Sequence, residues 1–288
     1  MRVGIIGAGR IAQSLGRLLY VRGAGVVALA ARSQESAERA AAFIGADVQP
    51  MRLAKIPSRA DHLLIAVTDG ALPETAAQIA GLGFRGGTVL HTSGNAGPGA
   101  LRALASCGTA VGVLHPLQTI PTPDAGLHSL PGSFFALGGD ERALHWATAI
   151  VGLLQGRPLH IAPDAWPLYH AAAVMASNYQ SALMDSALEL FGLAGVPRDT
   201  ALSALAPIVR SALDNILSAG PVAALTGPIQ RGDAGTVRAH VASLANAAPE
   251  TRQLYIAAGL RTLSVAEEQG LPPTAATAVR ATLKGNPQ

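Results

Sequence analysis

The chain has 288 residues and a formal net charge of +3; 49% of its residues are hydrophobic, 14% charged and 4% aromatic. That length holds one large domain or two around a substantial aliphatic core. The arginines are scattered, without a basic run or interleaved aromatics, and no apolar run is long and charge-free enough for a membrane span, so neither nucleic-acid binding nor membrane insertion is expected. The single cysteine, Cys107, excludes an intrachain disulfide framework and fits a reducing cytoplasm. With the first strand expected from residue 2, no signal peptide is expected.

The first turn sets the plan. Val3-Gly4-Ile5-Ile6 is an apolar run that ends in Gly7-Ala8-Gly9-Arg10-Ile11-Ala12, and Leu15, Leu18 and Leu19 follow at helical spacing. Strand, glycine turn and helix in that order form the dinucleotide-binding fingerprint, with alanine as the third small residue. Gly7 permits the sharp turn, Gly9 lets the backbone approach a pyrophosphate, and the helix N-terminus offers free N–H groups.

Further along, residues 25–31 read as a buried strand, residues 34–43 as a helix and residues 46–48 as a short strand. Residues 62–67, 87–92 and 110–115 are further strands, and Pro73-Glu74 opens a helix between the first two. This alternation predicts an α/β fold, a parallel doubly wound sheet, over residues 1–162. Ligands of such sheets lie beyond the C-terminal strand ends. Those ends carry Gly7, Arg32, Thr68, Asp69, Ser93 and His115.

After residue 161 only helical patterns follow, so residues 163–288 are expected to form an all-helical domain. Asp164 is the expected cap of a long helix in which Tyr169, Ala172, Ala173, Ala176, Leu183, Ala187 and Phe191 form the apolar face. Gly192 and Gly195 end it. On another face His170, Ser177, Asn178, Ser181 and Asp185 form a stripe of short polar groups, suited to a confined cavity or simply to the wet side of the helix. Breaks are expected at Gly220-Pro221, Gly227-Pro228 and residues 270–273, and a frayed tail at residues 285–288.

The end of the second strand bears on the cofactor. An NAD site places Asp or Glu there, whereas this chain has Arg32-Ser33, a guanidinium and a hydroxyl suited to the 2′-phosphate of NADP. The alternative is a solvated arginine at a helix start. No histidine pair has metal-ligand spacing, so no metal is expected, and neither a GxSxG elbow nor a GKS/GKT phosphate loop is present. The Arg231-Gly232-Asp233 tripeptide is read as a coincidence rather than an adhesion motif.

Five motifs together carry a resemblance. They are the fingerprint turn, His91-Thr92-Ser93-Gly94, Leu114-His115-Pro116-Leu117-Gln118-Thr119, Ala176-Ser177-Asn178-Tyr179 and Leu225-Thr226-Gly227-Pro228-Ile229-Gln230-Arg231-Gly232-Asp233. In that order they resemble Rossmann-like proteins with a DUF2520-type C-terminal domain, often labelled NADP oxidoreductases of coenzyme-F420-dependent type. The family is similar in plan to ketopantoate reductases, pyrroline-5-carboxylate reductases, and the 6-phosphogluconate and 3-hydroxyacid dehydrogenases. The resemblance implies a helical C-terminal domain that dimerises, with a small-molecule substrate held between domains. Nothing in the sequence shows a deazaflavin site. Ketopantoate reductases and hydroxyacid dehydrogenases use a helix lysine four residues before an asparagine. If Asn178 is that asparagine, the lysine position holds Val174.

The expectation is therefore a cytoplasmic, homodimeric NADPH-dependent reductase of a small carbonyl or imine compound. Gly7, Ala8, Gly9, Arg10, Ile11, Arg32, Ser33, Thr68 and Asp69 would bind the cofactor, with Thr92, Ser93 and Gly94 along its nicotinamide. Gln118, Ser177 and Arg231 would contact the substrate, His170 or His115 would donate the proton, and Asn178 would hold the reacting group. The rivals are a non-catalytic NADP-binding sensor and a ketopantoate-reductase-like enzyme.

Overall fold

The computed structural model describes residues 1–285; the last three residues of the tail expected to fray lie outside them. The chain divides into two compact units, Met1–Ser177 and Asn178–Gln288.

The first unit runs β1 (Val3–Ile6), α1 (Arg10–Val21), β2 (Val26–Ala30), α2 (Gln34–Ile44), β3 (Gln49–Met51), β4 (His62–Ile65), α3 (Leu72–Gly81), β5 (Thr88–His91), α4 (Arg102–Ala105), β6 (Ala110–Pro116), α5 (Pro123–Ser129), β7 (Phe134–Gly139), α6 (Glu141–Leu153), β8 (Arg157–His160) and α7 (Trp166–Ala176). Its eight strands form one sheet in the order β3-β2-β1-β4-β5-β6-β7-β8. Strand order reverses at β1, which lies between β2 and β4, and that reversal opens a crevice at the strand ends. The central strands are buried on both faces because alternate residues feed two cores. Ile5, Leu29, Leu64 and Leu90 join α1, α2 and α6 on one side, while Ile6, Ala30, Leu63, Ile65 and Val89 join α3 and α4 on the other.

The second unit is helical: α8 (Asn178–Leu193), α9 (Arg198–Ala224), α10 (Ala234–Ser243), α11 (Pro249–Glu268) and α12 (Pro273–Leu283). Val237, Leu263, Ala276, Val279 and Leu283 form its core from α10, α11 and α12. Gly220, at φ 81°, interrupts α9 where Gly220-Pro221 was expected to break it. The Asp233 carboxylate caps α10, accepting hydrogen bonds from the Thr236 N–H and hydroxyl, which is a structural use for the last residue of the Arg-Gly-Asp tripeptide.

Several expectations need correction. The sheet is not wholly parallel, because β6 and β7 pair antiparallel. The strand expected at 46–48 forms instead at Gln49–Met51, where Pro50 and Met51 pair with Leu29 and Ala30. The long helix expected from Asp164 is two helices. The first begins at Trp166-Pro167, with Ala165 rather than Asp164 at its cap position. It ends at Ser177, whose backbone leaves the helix at φ −123°, ψ −67° while its hydroxyl bonds back to the Ala173 carbonyl at 2.7 Å. The polar stripe from His170 to Asp185 is therefore not one face of one helix.

Candidate active site

Gly7 and Gly9 share one turn but serve different ends. Gly7 has φ 122°, and a Cβ there would lie 2.2 Å from the Ala66 carbonyl oxygen, so the turn is wedged against the end of β4. A Cβ on Gly9 would meet nothing within 4 Å. Beside Gly9 the first turn of α1 has no side-chain cap, leaving its N–H groups free for an anion. Ala8 is held through its carbonyl, which accepts from Gln13 Nε2 at 2.8 Å, and Arg10 donates to the Pro121 carbonyl at 3.2 Å. Ile11 is half-buried against the core below. These residues fit a dinucleotide, since the turn leaves open space and unpaired donors at the reversal of strand order.

Past the end of β2, Arg32 is exposed. Ser33 is the N-cap of α2, its hydroxyl accepting from the Ser36 N–H at 3.2 Å. That hydroxyl donates in turn to Ser36 Oγ at 2.9 Å, so a contact with a phosphate would take the place of this bond. Thr68 and Asp69 lie exposed past β4, where Thr68 caps a short turn without a side-chain bond.

The chemistry concentrates at the ends of β5 and β6. Thr92 and Ser93 are buried, and the Ser93 hydroxyl accepts from the N–H groups of Asn95 and Ala96, at 3.3 and 3.0 Å. Gly94 follows them. A Cβ there would lie 2.7 Å from His115 Nε2 and 2.9 Å from His170 Cδ2, so only glycine lets the loop and both imidazoles meet. The His115 and His170 rings stand 6.3 Å apart and nearly perpendicular. His115 Nδ1 is hydrogen-bonded to the Tyr169 hydroxyl at 2.8 Å. Trp166, fully buried, packs edge-on against Tyr169 and seats the start of α7 on Val113 and Ala136.

Burial pushes the His115 imidazole down to about 4; His170 and His91 add to this, and Asp69 opposes it. Burial likewise pushes the Tyr169 phenol up to about 12. Both groups are thus neutral at pH 7, which suits a hydrogen-bonded pair that passes a proton and does not store charge.

Tyr169 is the residue that sequence reading missed as a site residue. Its spacing assigned it to the apolar face, and the only sequence signal was that a buried phenol needs a partner, with His115 available. Other candidates are held elsewhere. The Gln118 side chain is taken up locally, donating to the Ser129 carbonyl and accepting from the Thr119 N–H. Asp185 pairs with Arg198 at 2.5 Å. Ser177 ends the first unit, and Asn178 and the exposed Arg231 belong to the second. Val174 and Asn178 lie on opposite sides of the Ser177 break, so the lysine–asparagine arrangement of one continuous helix is lacking in geometry as well as in residue type. Among the described residues no group of three or more His, Cys, Asp or Glu side chains could hold a metal ion, and no helix is long and apolar enough to cross a membrane.

Residues 1–116 match the Rossmann-like domain, and residues 133–262 match DUF2520, a domain of unknown function. No curated protein matches the sequence. Solved structures share the fold. A protein from Bacteroides fragilis, named as a candidate NADP oxidoreductase, is 23% identical with a TM-score of 0.73, the match covering 91% of this chain and 98% of that one. Protein TM1727 from Thermotoga maritima is 21% identical with a TM-score of 0.71, over 93% and 99% of the two chains. An imine reductase from Myxococcus stipitatus, solved with NADP+, is 14% identical with a TM-score of 0.60, over 99% and 93%.

Proposed function

We propose that this chain, which joins a Rossmann-like domain to a DUF2520 domain, is an NADPH-dependent reductase of a small carbonyl or imine compound. The observation that carries the reading is the neutral His115–Tyr169 pair beside Gly94, on the same sheet edge as an open glycine turn. The names of the Bacteroides and Myxococcus proteins support it.

Residues 7–11 would hold the pyrophosphate, Arg32 and Ser33 the 2′-phosphate, and Thr68, Asp69, Thr92, Ser93 and Gly94 the remainder of the cofactor. Bound NADPH supplies the hydride. The protein must then meet the negative charge left on the substrate oxygen or nitrogen. In the tautomer where Tyr169 donates to His115 Nδ1, Nε2–H is free to donate to that atom while Nδ1 takes the phenolic proton; water then reprotonates Tyr169. A lone imidazolium is a poor donor here, since at pH 7 a group titrating near 4 is charged in about one molecule in a thousand. The His170 ring lies against the same glycine, Gly94, as His115 Nε2. Ser177, Asn178 and Arg231 keep the substrate roles read from the sequence, while the Gln118 side chain is held by Ser129 and Thr119.

We also read the protein as a homodimer. The second unit leaves Ile208 64% and Leu217 82% exposed on α9, with Leu213 and Ile216 nearby in sequence, an apolar surface that a second copy would cover. Light scattering giving a monomer at micromolar concentration overturns this part.

Titrating NADPH and NADH into wild type and Arg32→Ala tests the cofactor assignment. Wild type is expected to prefer NADPH, and the substitution to weaken it roughly tenfold to a hundredfold, the worth of one charged hydrogen-bonding partner. Equal wild-type affinities contradict it. NADPH oxidation across a panel of ketones, aldehydes and imines tests the activity; tight binding with no turnover favours the non-catalytic reading.

A further inference from the structure

His91 has no role in the scheme above, yet its side chain is fully buried. It is the last residue of β5. A buried imidazole is tolerated where both ring nitrogens find partners, and here both partners lie on the same loop. Nδ1 accepts from the Ser93 N–H at 3.2 Å, so the ring proton sits on Nε2, which donates to the Gly97 carbonyl at 3.2 Å. One side chain thereby clasps the two ends of residues 93–97.

That loop meets α7 and its approach at two places, and both are glycines. At Gly94 it abuts His115 Nε2 and His170 Cδ2. At Gly97 a Cβ would lie 2.8 Å from Trp166 Cδ1 and 3.2 Å from the Pro163 carbonyl, so Trp166 rests on the backbone whose carbonyl His91 holds. Trp166 in turn packs against Tyr169, the partner of His115. The chain of contacts runs from His91 through Gly97 and Trp166 to Tyr169, and through Ser93 and Gly94 to His115 and His170.

We propose that His91 is a positioning residue: by clasping both ends of residues 93–97 it sets the spacing of His115, Tyr169 and His170. Its effect on rate rests on the reductase reading; its effect on geometry does not. Burial holds the His91 ring in its neutral form, with an ordinary histidine value pushed down to about 4, so the clasp keeps one tautomer throughout the neutral range. A leucine would fill the space but leave the Ser93 N–H and Gly97 carbonyl without partners.

The test uses the full chain with His91→Leu, His91→Asn and His91→Gln. Asparagine keeps an acceptor near the Nδ1 position, glutamine keeps a donor near Nε2, and leucine keeps neither. Titration of the His115 ring by NMR, without cofactor, reads the geometry from the difference between His91→Leu and the amide variants, since all three remove the direct effect of the His91 ring on His115. His91→Leu is expected to raise the His115 midpoint by about one unit or more toward the free value as the loop loosens, with smaller shifts in the two amide variants. Where substrate is reduced, kcat at saturating NADPH should fall roughly tenfold to a hundredfold in His91→Leu, the effect of a misplacement near 1 Å, and recover at least in part in His91→Asn. If His91→Leu does not fold, the amide variants decide by the same titration. Folded variants that leave the His115 midpoint unmoved overturn the proposal. A wild type that binds no NADPH overturns the reductase reading instead, and the titration still decides for His91.

Discussion

His115–Tyr169 and His240–Tyr255 are built alike: each joins Nδ1 to a phenolic oxygen at 2.8 Å, and each sets its rings 84° apart. Their settings differ. His115 lies one residue before the end of β6, with Asp69, His91 and His170 near enough to bear on its charge and with Nε2 against Gly94. His240 is exposed on the last turn of α10, and its partner lies on α11. The bond itself is thus an ordinary way to satisfy a half-buried tyrosine. Chemistry needs in addition a place at the strand ends of a sheet, where ligands gather. Only the first pair has it.

Breaking each pair in turn gives the largest contrast. Tyr169→Phe should slow hydride transfer by at least about a hundredfold with NADPH affinity unchanged, the usual worth of a placed proton donor. Tyr255→Phe should stay within about threefold. Single-turnover rates on one reducible substrate check both. The pH profile sharpens the point: with the pair neutral from above 4 to below 12, the rate should show no step near 6.5. Were imidazolium at His115 the donor, the rate would instead fall tenfold for each pH unit above 4.

The next effect is on stability, and it comes from the buried His91. Unfolded, its imidazole titrates near 6.5. Folded, His91 titrates at about 4. Between those values the unfolded chain binds a proton that the folded chain refuses. The stability from burying neutral His91 is therefore complete above pH 6.5 and is lost as pH falls toward 4, by about 3 kcal/mol at pH 4. Urea unfolding at pH 7 and pH 4.5 should show a smaller acid loss in His91→Asn than in wild type. Identical slopes in wild type and His91→Asn would break the contrast.

The same division explains what the sequence disclosed. Parallel strands buried on both faces read as continuous apolar runs, so β1, β2, β4, β5 and β6 were placed within a residue or two, and their ends gave the cofactor side of the candidate site. The edge strand β8 carries Arg157, Pro158, Leu159 and His160, all exposed, and has no apolar signature to read. Ser177 is neither glycine nor proline, and the bond that ends α7 is made by its own hydroxyl, which a periodicity count does not register. Tyr169 escaped for a related reason. Helical spacing reports which face a side chain occupies, and an aromatic on an apolar face counts as packing whether or not its hydroxyl does something more.

The smallest effect concerns the second pair as a structural bond. Tyr255 is half-buried and its phenol is raised by that burial, so it donates and stays neutral at every pH of interest. Its acceptor is exposed, and water can replace the phenol at His240 Nδ1 once the bond is lost. Removing one such hydrogen bond is worth about 1 kcal/mol, because no donor or acceptor is left both buried and unpaired. Tyr255→Phe should therefore lower unfolding stability by about 1 kcal/mol or less, measured in urea at pH 7. His240→Gln should do the same, and the double substitution should add little beyond either single one, since both remove a single interaction. A loss above about 2 kcal/mol in either single variant would mean that the bond closes off a buried group after all. The second pair would then be a keystone between α10 and α11, and exposure of the histidine would no longer distinguish it from the first.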